Sequence, residues 1–251
     1  MTPNCYLSCG TVFKLMQAGA AQTAWNKTVL ANFTGGSDGD LPWAGLISYN
    51  QSLYGTTSGL SGGAGAVFRV TGHTLTSIWT FTGGSDGARP FAQLIADDSG
   101  ALYGTTGNGG TLGNGVVFKL TPPKFGQISW NLEPIWTFTG GADGSEPDAA
   151  LIFDKSGALY GTTYEGGFQN NGVVFKLTPP KFGQTAWTDT TLWTFSGGSD
   201  GSDPYSPLIA DGRGAIYGTT DAGGSFSALC SFGCGVVFKL TGTGFVPGRS
   251  D

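Results

Sequence analysis

Few side chains in this chain are equipped for chemistry, and those that are recur at fixed places. The sequence has a single histidine, His73, in a Thr-Gly-His-Thr turn where it is expected to be solvated. A histidine-based triad or a multi-histidine metal site is therefore excluded. There is no Gly-x-Ser-x-Gly nucleophile turn and no phosphate loop beyond general glycine richness. Carboxylate pairs that flank a glycosidic bond are one remaining route to catalysis. Glu146 and Asp148 are the nearest such pair, but no partner at a catalytic separation is identifiable from sequence.

Binding chemistry is better represented. A proline recurs at Pro42, Pro90, Pro147 and Pro204, and the next residue differs each time: Trp43, Phe91, Asp148 and Tyr205. Three of these four are aromatic, and a ring face can cover the apolar C–H patch of a pyranose. The residue before each proline is Leu41, Arg89, Glu146 or Asp203, and the three polar ones suit hydrogen bonding to hydroxyls. The expected ligand-binding set is thus Trp43, Phe91, Tyr205, Arg89, Glu146, Asp148 and Asp203. The plain alternative is that the aromatic three plug the core. Asn108, Tyr164, Glu165, Phe168 and Asn170 add polar and aromatic groups in neighbouring loops.

Metal binding has two openings in the sequence. Asp38, Asp86, Asp143 and Asp200 each sit in a Gly-Gly-x-Asp-Gly segment, with Asp40 and Asp203 close to the first and last of these. An Asp here is expected to cap a turn by accepting backbone N–H groups. Calcium is the alternative, but six or more oxygen ligands are not evident, so no cofactor is expected. Cys5/Cys9 and Cys230/Cys234 form two Cys-x-x-x-Cys pairs in matching contexts. Two local disulfides are the first reading, and they would belong to an oxidising compartment. A zinc site using all four is the second, although metal knuckles prefer Cys-x-x-Cys spacing.

These residues are held by a repeat of roughly 50–57 residues. Each copy runs from an apolar segment after the proline, through a turn such as Asp97-Asp-Ser-Gly100, to Tyr-Gly-Thr-Thr at Tyr54, Tyr103, Tyr160 and Tyr217. A glycine loop follows. Next comes a Gly-Val-Val-Phe-Lys-Leu-like segment from Gly10, Gly65, Gly115, Gly172 or Gly235, and then one ending at Phe33, Phe81, Phe138 or Phe195. Alternation within Val116-Val-Phe-Lys-Leu120 places Val116, Phe118 and Leu120 on one face of a strand. No segment has a 3.6-residue apolar period, so helix is expected to be nearly absent.

Four strands per repeat predict an all-β fold, a β-propeller of four-stranded antiparallel blades. The third segment occurs five times and the others four. A five-bladed plan with an incomplete blade is therefore expected; a four-bladed ring or a piece of a larger one is the alternative. The whole of 1–251 reads as one repeat domain with a short polar tail at 241–251. The chain opens in the middle of a repeat, without a basic region and apolar stretch, which suggests a shortened array and no signal peptide at its start. Open blade edges invite pairing with a second chain. The recurring Lys14, Arg69, Lys119, Lys176 and Lys239 are expected to meet the Gly-Gly-x-Asp-Gly aspartates between blades. The tyrosines are expected to pack between blades with their hydroxyls bonded.

The 45 glycines and 13% aromatic content suit short strands and tight turns. A net charge of −5 argues against a nucleic-acid partner. No apolar run approaches the ~20 residues that span a bilayer as helix.

The combination Leu-Tyr-Gly-Thr-Thr, Gly-Val-Val-Phe-Lys-Leu, Leu-Trp-Thr-Phe and Gly-Gly-Ser-Asp-Gly resembles the GloVer tandem repeat, named for Gloeobacter and Verrucomicrobia and found in choice-of-anchor proteins. The resemblance covers nearly the whole chain. It implies a propeller-like fold in secreted or surface-attached bacterial proteins, and implies no established activity. The chain departs from that family in having no recognisable anchor or signal peptide. A looser likeness of pattern, to tachylectin-type five-bladed lectins, favours sugar binding. The expected function is therefore an extracellular or cell-surface module recognising a polysaccharide or glycan weakly and at several points. A structural scaffold that binds a cell-surface protein and a polysaccharide-active enzyme are the alternatives.

Overall fold

The structure is a computed structural model that describes residues 9–19, 23–59, 63–226 and 230–247. It is all-β, with no helix among the described residues. The first sheet holds β1 (Thr11–Gln17) and β2 (Trp25–Asn32). The second holds β3 (Ile47–Tyr49), β4 (Ser52–Thr57), β5 (Ala66–Thr71) and β6 (Thr74–Thr80). The third holds β7 (Ile95–Ala96), β8 (Leu102–Thr106), β9 (Val116–Thr121) and β10 (Asn131–Thr137). The fourth holds β11 (Ile152–Phe153), β12 (Leu159–Thr163), β13 (Val173–Thr178) and β14 (Thr188–Thr194). The fifth holds β15 (Ile209–Ala210), β16 (Ile216–Thr219) and β17 (Val237–Leu240).

Every pairing within these sheets is antiparallel and sequential, so the fold is a β-propeller of four-stranded blades. Three blades are complete. Among the described residues the first has only its two outer strands and the last lacks its outermost. The innermost strands are short, two or three residues, because the post-proline segment runs irregularly before pairing begins. Pro134 is tolerated in β10 because that strand is at a blade edge, where its missing N–H breaks no further ladder.

Blade-to-blade packing explains the repeated motif. In β9, Val117 faces the following blade while Phe118 and Leu120 face the preceding one. An edge-to-face ring pair closes each junction: Phe33–Phe68, Phe81–Phe118, Phe138–Phe175 and Phe195–Phe238, with centroids 4.8–5.3 Å apart. The Gly of Tyr-Gly-Thr-Thr is required because the Phe of the neighbouring strand lies over it. A Cβ on Gly104 would come within 2.7 Å of Phe118.

The tyrosines are structural. Tyr103 and Tyr160 are buried, and each donates its hydroxyl to the turn aspartate six residues earlier, Asp97 and Asp154. Tyr217 does the same to Asp211. Those aspartates also accept backbone N–H groups across their turns. The lysines do not meet the Gly-Gly-x-Asp-Gly carboxylates as expected. Lys119, Lys176 and Lys239 lie 5.2–5.3 Å over the rings of Tyr103, Tyr160 and Tyr217, because the register pairs each lysine directly with the tyrosine. The Gly-Gly-x-Asp-Gly aspartates are occupied locally: Asp86 accepts from Thr82 and the Trp79 indole, Asp200 from Ser196 and the Trp193 indole.

Cys230 and Cys234 form a disulfide, which removes the four-cysteine zinc reading. Cys9 is also disulfide-bonded, and Cys5 lies outside the described residues. Of the expected polar tail, Phe245 packs on the Tyr160 ring and the Val246 carbonyl accepts the backbone N–H of Lys155.

Candidate functional site

The residues flanking the recurring prolines are built by a strained and tightly held backbone. Leu41, Arg89, Glu146 and Asp203 all have φ between 54° and 58°, the left-handed region. A non-glycine residue seldom adopts it, and a following proline normally drives its predecessor to extended geometry. The conformation is held from two sides. The N–H of each residue donates to the preceding blade: Leu41 to Cys9, Arg89 to Ala64, Glu146 to Asn114 and Asp203 to Asn171. Each carbonyl accepts from its own blade, from Ser58, Gly107, Tyr164 and Asp221. Strain that persists because the surroundings over-determine it is a reason to look for function at these positions.

The proline itself is a blade lock. It sits against the glycine that starts the third strand of the preceding blade. A Cβ on Gly115, whose φ is +90°, would come within 2.6 Å of Pro147. The first threonine of three of the four Thr-Thr pairs adds a bond to the next blade, with Thr56 donating to Ala92, Thr105 to Ala149 and Thr162 to Pro204.

This frame sets the post-proline residues out in succession, one per blade. Trp43 is 60% exposed and stacked on Phe91, with centroids 5.4 Å apart and planes 27° apart. Phe91 and Asp148 both lie beside Gly107, where a Cβ would meet them at 3.6 Å and 2.3 Å. Tyr205 is 46% exposed and set edge-on to Tyr164 at 6.0 Å. None of the three aromatic residues belongs to the inter-blade core clusters; Trp43 and Tyr205 are exposed and Phe91 is half-buried. A pocket of about 370 Å³ opens at Tyr164, Tyr205, Ser206, Thr219, Thr220 and Asp221.

The electrostatics bind the set together. Burial, and then the charge of Glu146, push the Asp148 carboxyl up to about 7, with Arg89 only partly opposing. Asp148 Oδ1 is buried and has no hydrogen-bond partner. Burial and then Glu165 raise Glu146, again against Arg89. Burial, Asp221 and Glu165 raise Asp203. Tyr164 and Tyr205 are also raised, first by burial and then by the carboxylates around them. All seven residues expected from sequence, Trp43, Phe91, Tyr205, Arg89, Glu146, Asp148 and Asp203, therefore lie in one neighbourhood.

Sequence reasoning named Tyr164 but not its counterparts in the other copies. The residue after Tyr-Gly-Thr-Thr is Ser58, Gly107, Tyr164 or Asp221, and it is this residue that abuts the post-proline row. The signal was available, since the copies disagree there as they do after the proline. Glu165 belongs to the same cluster, whereas Phe168 is exposed in the loop beyond it.

Chemically, the arrangement offers ring faces beside carboxylates that accept hydroxyl donors. Asp148 can also donate when protonated. No group of three or more His, Cys, Asp or Glu side chains placed to hold a metal occurs among the described residues. Asp38, central to the calcium alternative, is engaged by Thr34 and Gly36.

A family model described as the Gloeobacter/Verrucomicrobia repeat matches residues 6–131 and 127–246. No curated protein matches. Among solved structures, similarity extends to a gluconolactonase of Xanthomonas campestris, at 16% identity and TM-score 0.46, over 89% of this chain and 66% of that one. A GH43 beta-xylosidase/alpha-arabinofuranosidase from a compost microbial metagenome matches at 13% identity and TM-score 0.44, over 92% and 80%. A xylan beta-1,4-xylosidase from Bacillus halodurans matches at 13% and 0.44, over 88% and 46%. The chain thus spans just under two thirds of the length of the gluconolactonase and under half that of the second xylosidase.

Proposed function

The chain belongs to the Gloeobacter/Verrucomicrobia repeat family, and on that footing we propose that it is an extracellular or cell-surface module that binds carbohydrate along its post-proline row. One observation carries this reading. Trp43 and Tyr205 hold large apolar ring faces substantially open to solvent, Trp43 stacked on Phe91 and Tyr205 within the field of the Asp148 carboxylate, on a backbone strained into place at every blade. Exposed aromatic rings next to hydrogen-bonding carboxylates match the two surfaces of a sugar ring, its C–H face and its hydroxyl edge. Each contact is weak, and several along one polysaccharide gain avidity because later contacts are intramolecular. The disulfide fits an oxidising location.

The test is retention on a panel of insoluble polysaccharides and a glycan array. The wild-type chain is expected to be retained on at least one glycan. The Trp43→Ala/Phe91→Ala/Tyr205→Ala variant is expected to be folded and not retained. No retention of the wild type on any glycan overturns the reading and favours the scaffold alternative, in which a cell-surface protein is the partner.

A second reading rests on Asp148. A carboxyl that titrates near 7 is poised to give and take protons at neutral pH. Under that reading the chain is polysaccharide-active, and release of reducing ends is abolished by Asp148→Asn. Under the binding reading neither protein releases reducing ends.

A further inference from the structure

We propose that the groove between the second and third sheets is a second binding site, for a sugar ring that carries a carboxylate, with Arg69 as its anion-binding residue. The site stands apart from the post-proline row and does not depend on that reading. A cavity of about 890 Å³ runs along β6 and under the loop that leads into β10. Arg69, Thr76 and Trp79 line it from the second sheet, and Pro123, Ile128 and Trp130 from the third; no post-proline residue reaches it. The loop that roofs it is written twice. Pro-Pro-Lys-Phe-Gly-Gln occurs at 122–127 and again at 179–184, and in each copy the Gln N–H donates to the Lys carbonyl. A matching cavity of about 720 Å³ lies at the next junction. There Lys119, Glu133, Pro180 and Trp187 take the places of Arg69, Thr76, Pro123 and Trp130.

The two grooves share a frame and differ in charge. The register sets Lys119 opposite Glu133, and Asp97 lies beyond Tyr103. Burial works against the Lys119 ammonium, but Tyr103, Asp97 and Glu133 outweigh it and hold it above the ordinary lysine value. Arg69 has neither of those carboxylates. The register sets Thr76 opposite it, and Ser48 stands six residues before Tyr54, where the later copies have Asp97, Asp154 and Asp211. Arg69 is the one charged side chain among the described residues that line its groove. Its Nε is buried without a hydrogen-bond partner. Asp86, behind the Trp79 indole, is already taken by that indole and by Thr82.

An orphaned guanidinium N–H is costly, and the planar fork of an arginine matches the two oxygens of a carboxylate. The walls supply the rest of the recognition. Trp130 is half-buried and held edge-on to Tyr54, with centroids 6.1 Å apart, and Ile128 is 94% exposed. Together they offer apolar surface for the C–H face of a ring. The hydroxyls of Thr76 and Ser129 line the same space and can bond sugar hydroxyls. A pyranose bearing a carboxylate, the unit of an acidic polysaccharide, presents all three chemistries at once. The neighbouring groove, with Glu133 and Asp97 around its cation, would repel the same ligand.

The experiment is calorimetric titration of the full chain with tri-galacturonic acid and with its methyl ester, which has the same rings without the charge. Wild type is expected to bind the acid saturably and the ester at least about tenfold more weakly, the loss expected for a charge-assisted bond. Arg69→Gln is expected to weaken the acid by a similar factor. Thr76→Glu is expected to do the same while leaving Arg69 in place, because it gives Arg69 the partner that Lys119 has; circular dichroism checks that both variants fold. The Trp43→Ala/Phe91→Ala/Tyr205→Ala variant is expected to bind the acid as wild type does. No binding of the acid, equal binding of acid and ester, or a folded Arg69→Gln or Thr76→Glu variant that binds like wild type overturns the proposal. Binding lost only in the triple variant overturns it too, by assigning the acid to the post-proline row and leaving the carbohydrate reading intact.

Discussion

Replacing Asp148 by Asn isolates the most perturbed group of the candidate site. The Asp148 carboxyl ordinarily titrates at 3.8, and in the fold it does so at about 7. Its causes are burial first and the nearby Glu146 second, with Arg89 opposing. A raised carboxylate pKa means that the folded state binds more protons than the unfolded state between these values. Stability therefore falls as pH rises from about 4 to about 7 and stays lowered above it. At ~1.36 kcal/mol per pK unit, holding Asp148 ionised costs the fold about 4 kcal/mol when fully expressed. An asparagine side chain carries no charge and avoids this cost. The Asp148→Asn variant should then melt at a higher temperature than wild type at pH 8, and the advantage should shrink progressively below pH 7 and vanish near pH 4. Even a quarter of the effect, about 1 kcal/mol, moves the Tm of a chain of this size by roughly 2–4 °C. Differential scanning calorimetry of both proteins across that pH range measures it. A difference that is the same at every pH, or a variant less stable at pH 8, would refute the reasoning that an unpaired, crowded carboxylate sits there.

Three further outcomes follow from the same structure. Trp43→Ala, with Trp43 mostly in solvent, should change stability by less than about 1 kcal/mol while weakening glycan retention; a large loss of Tm would show that the ring is structural. Gly107→Ala places a Cβ 2.3 Å from Asp148 Oδ1, so it should displace that carboxylate and move its titration, read by carboxyl-carbon NMR, with a destabilisation of about 1–3 kcal/mol. Burial works against ionisation of Asp154, yet the hydrogen bonds from Ser156, Ala158 and Tyr160 outweigh it and hold the carboxyl below its ordinary value. Tyr160→Phe should therefore cost about 1–3 kcal/mol at neutral pH, and urea unfolding should show the difference from wild type narrowing as acid protonates Asp154.

Much of the fold was legible because the repeat writes each strand several times. Alternation in Val116-Val-Phe-Lys-Leu120 gave the strand and its two faces, and the segment count gave one incomplete blade, whereas both end sheets are incomplete among the described residues. Side-chain partners were less legible. The bond from Tyr103 to Asp97 crosses a hairpin, and the placing of Lys119 over that tyrosine depends on a pairing register that spacing alone does not reveal. The same limit hid the residues after Tyr-Gly-Thr-Thr other than Tyr164. Ser58, Gly107, Tyr164 and Asp221 adjoin the post-proline row only through backbone bonds to strained residues far away in sequence. Nor did sequence reveal the left-handed backbone at Arg89 and Glu146, because a residue preceding proline is expected to be extended. Variation between copies does separate the post-proline row from positions that serve the junctions, such as Phe118 and Phe175, which scarcely change.

The most direct test of the carbohydrate reading is a titration with fragments of whichever glycan retains the chain, followed on the indole N–H signals of its seven tryptophans. Trp43, identified by its loss in Trp43→Phe, is predicted to shift in a saturable way while the indoles of Trp79 and Trp193, bonded to Asp86 and Asp200, stay in place. A Trp43 signal that does not move at saturating fragment, or shifts confined to other tryptophans, would contradict the assignment of the post-proline row as the binding surface.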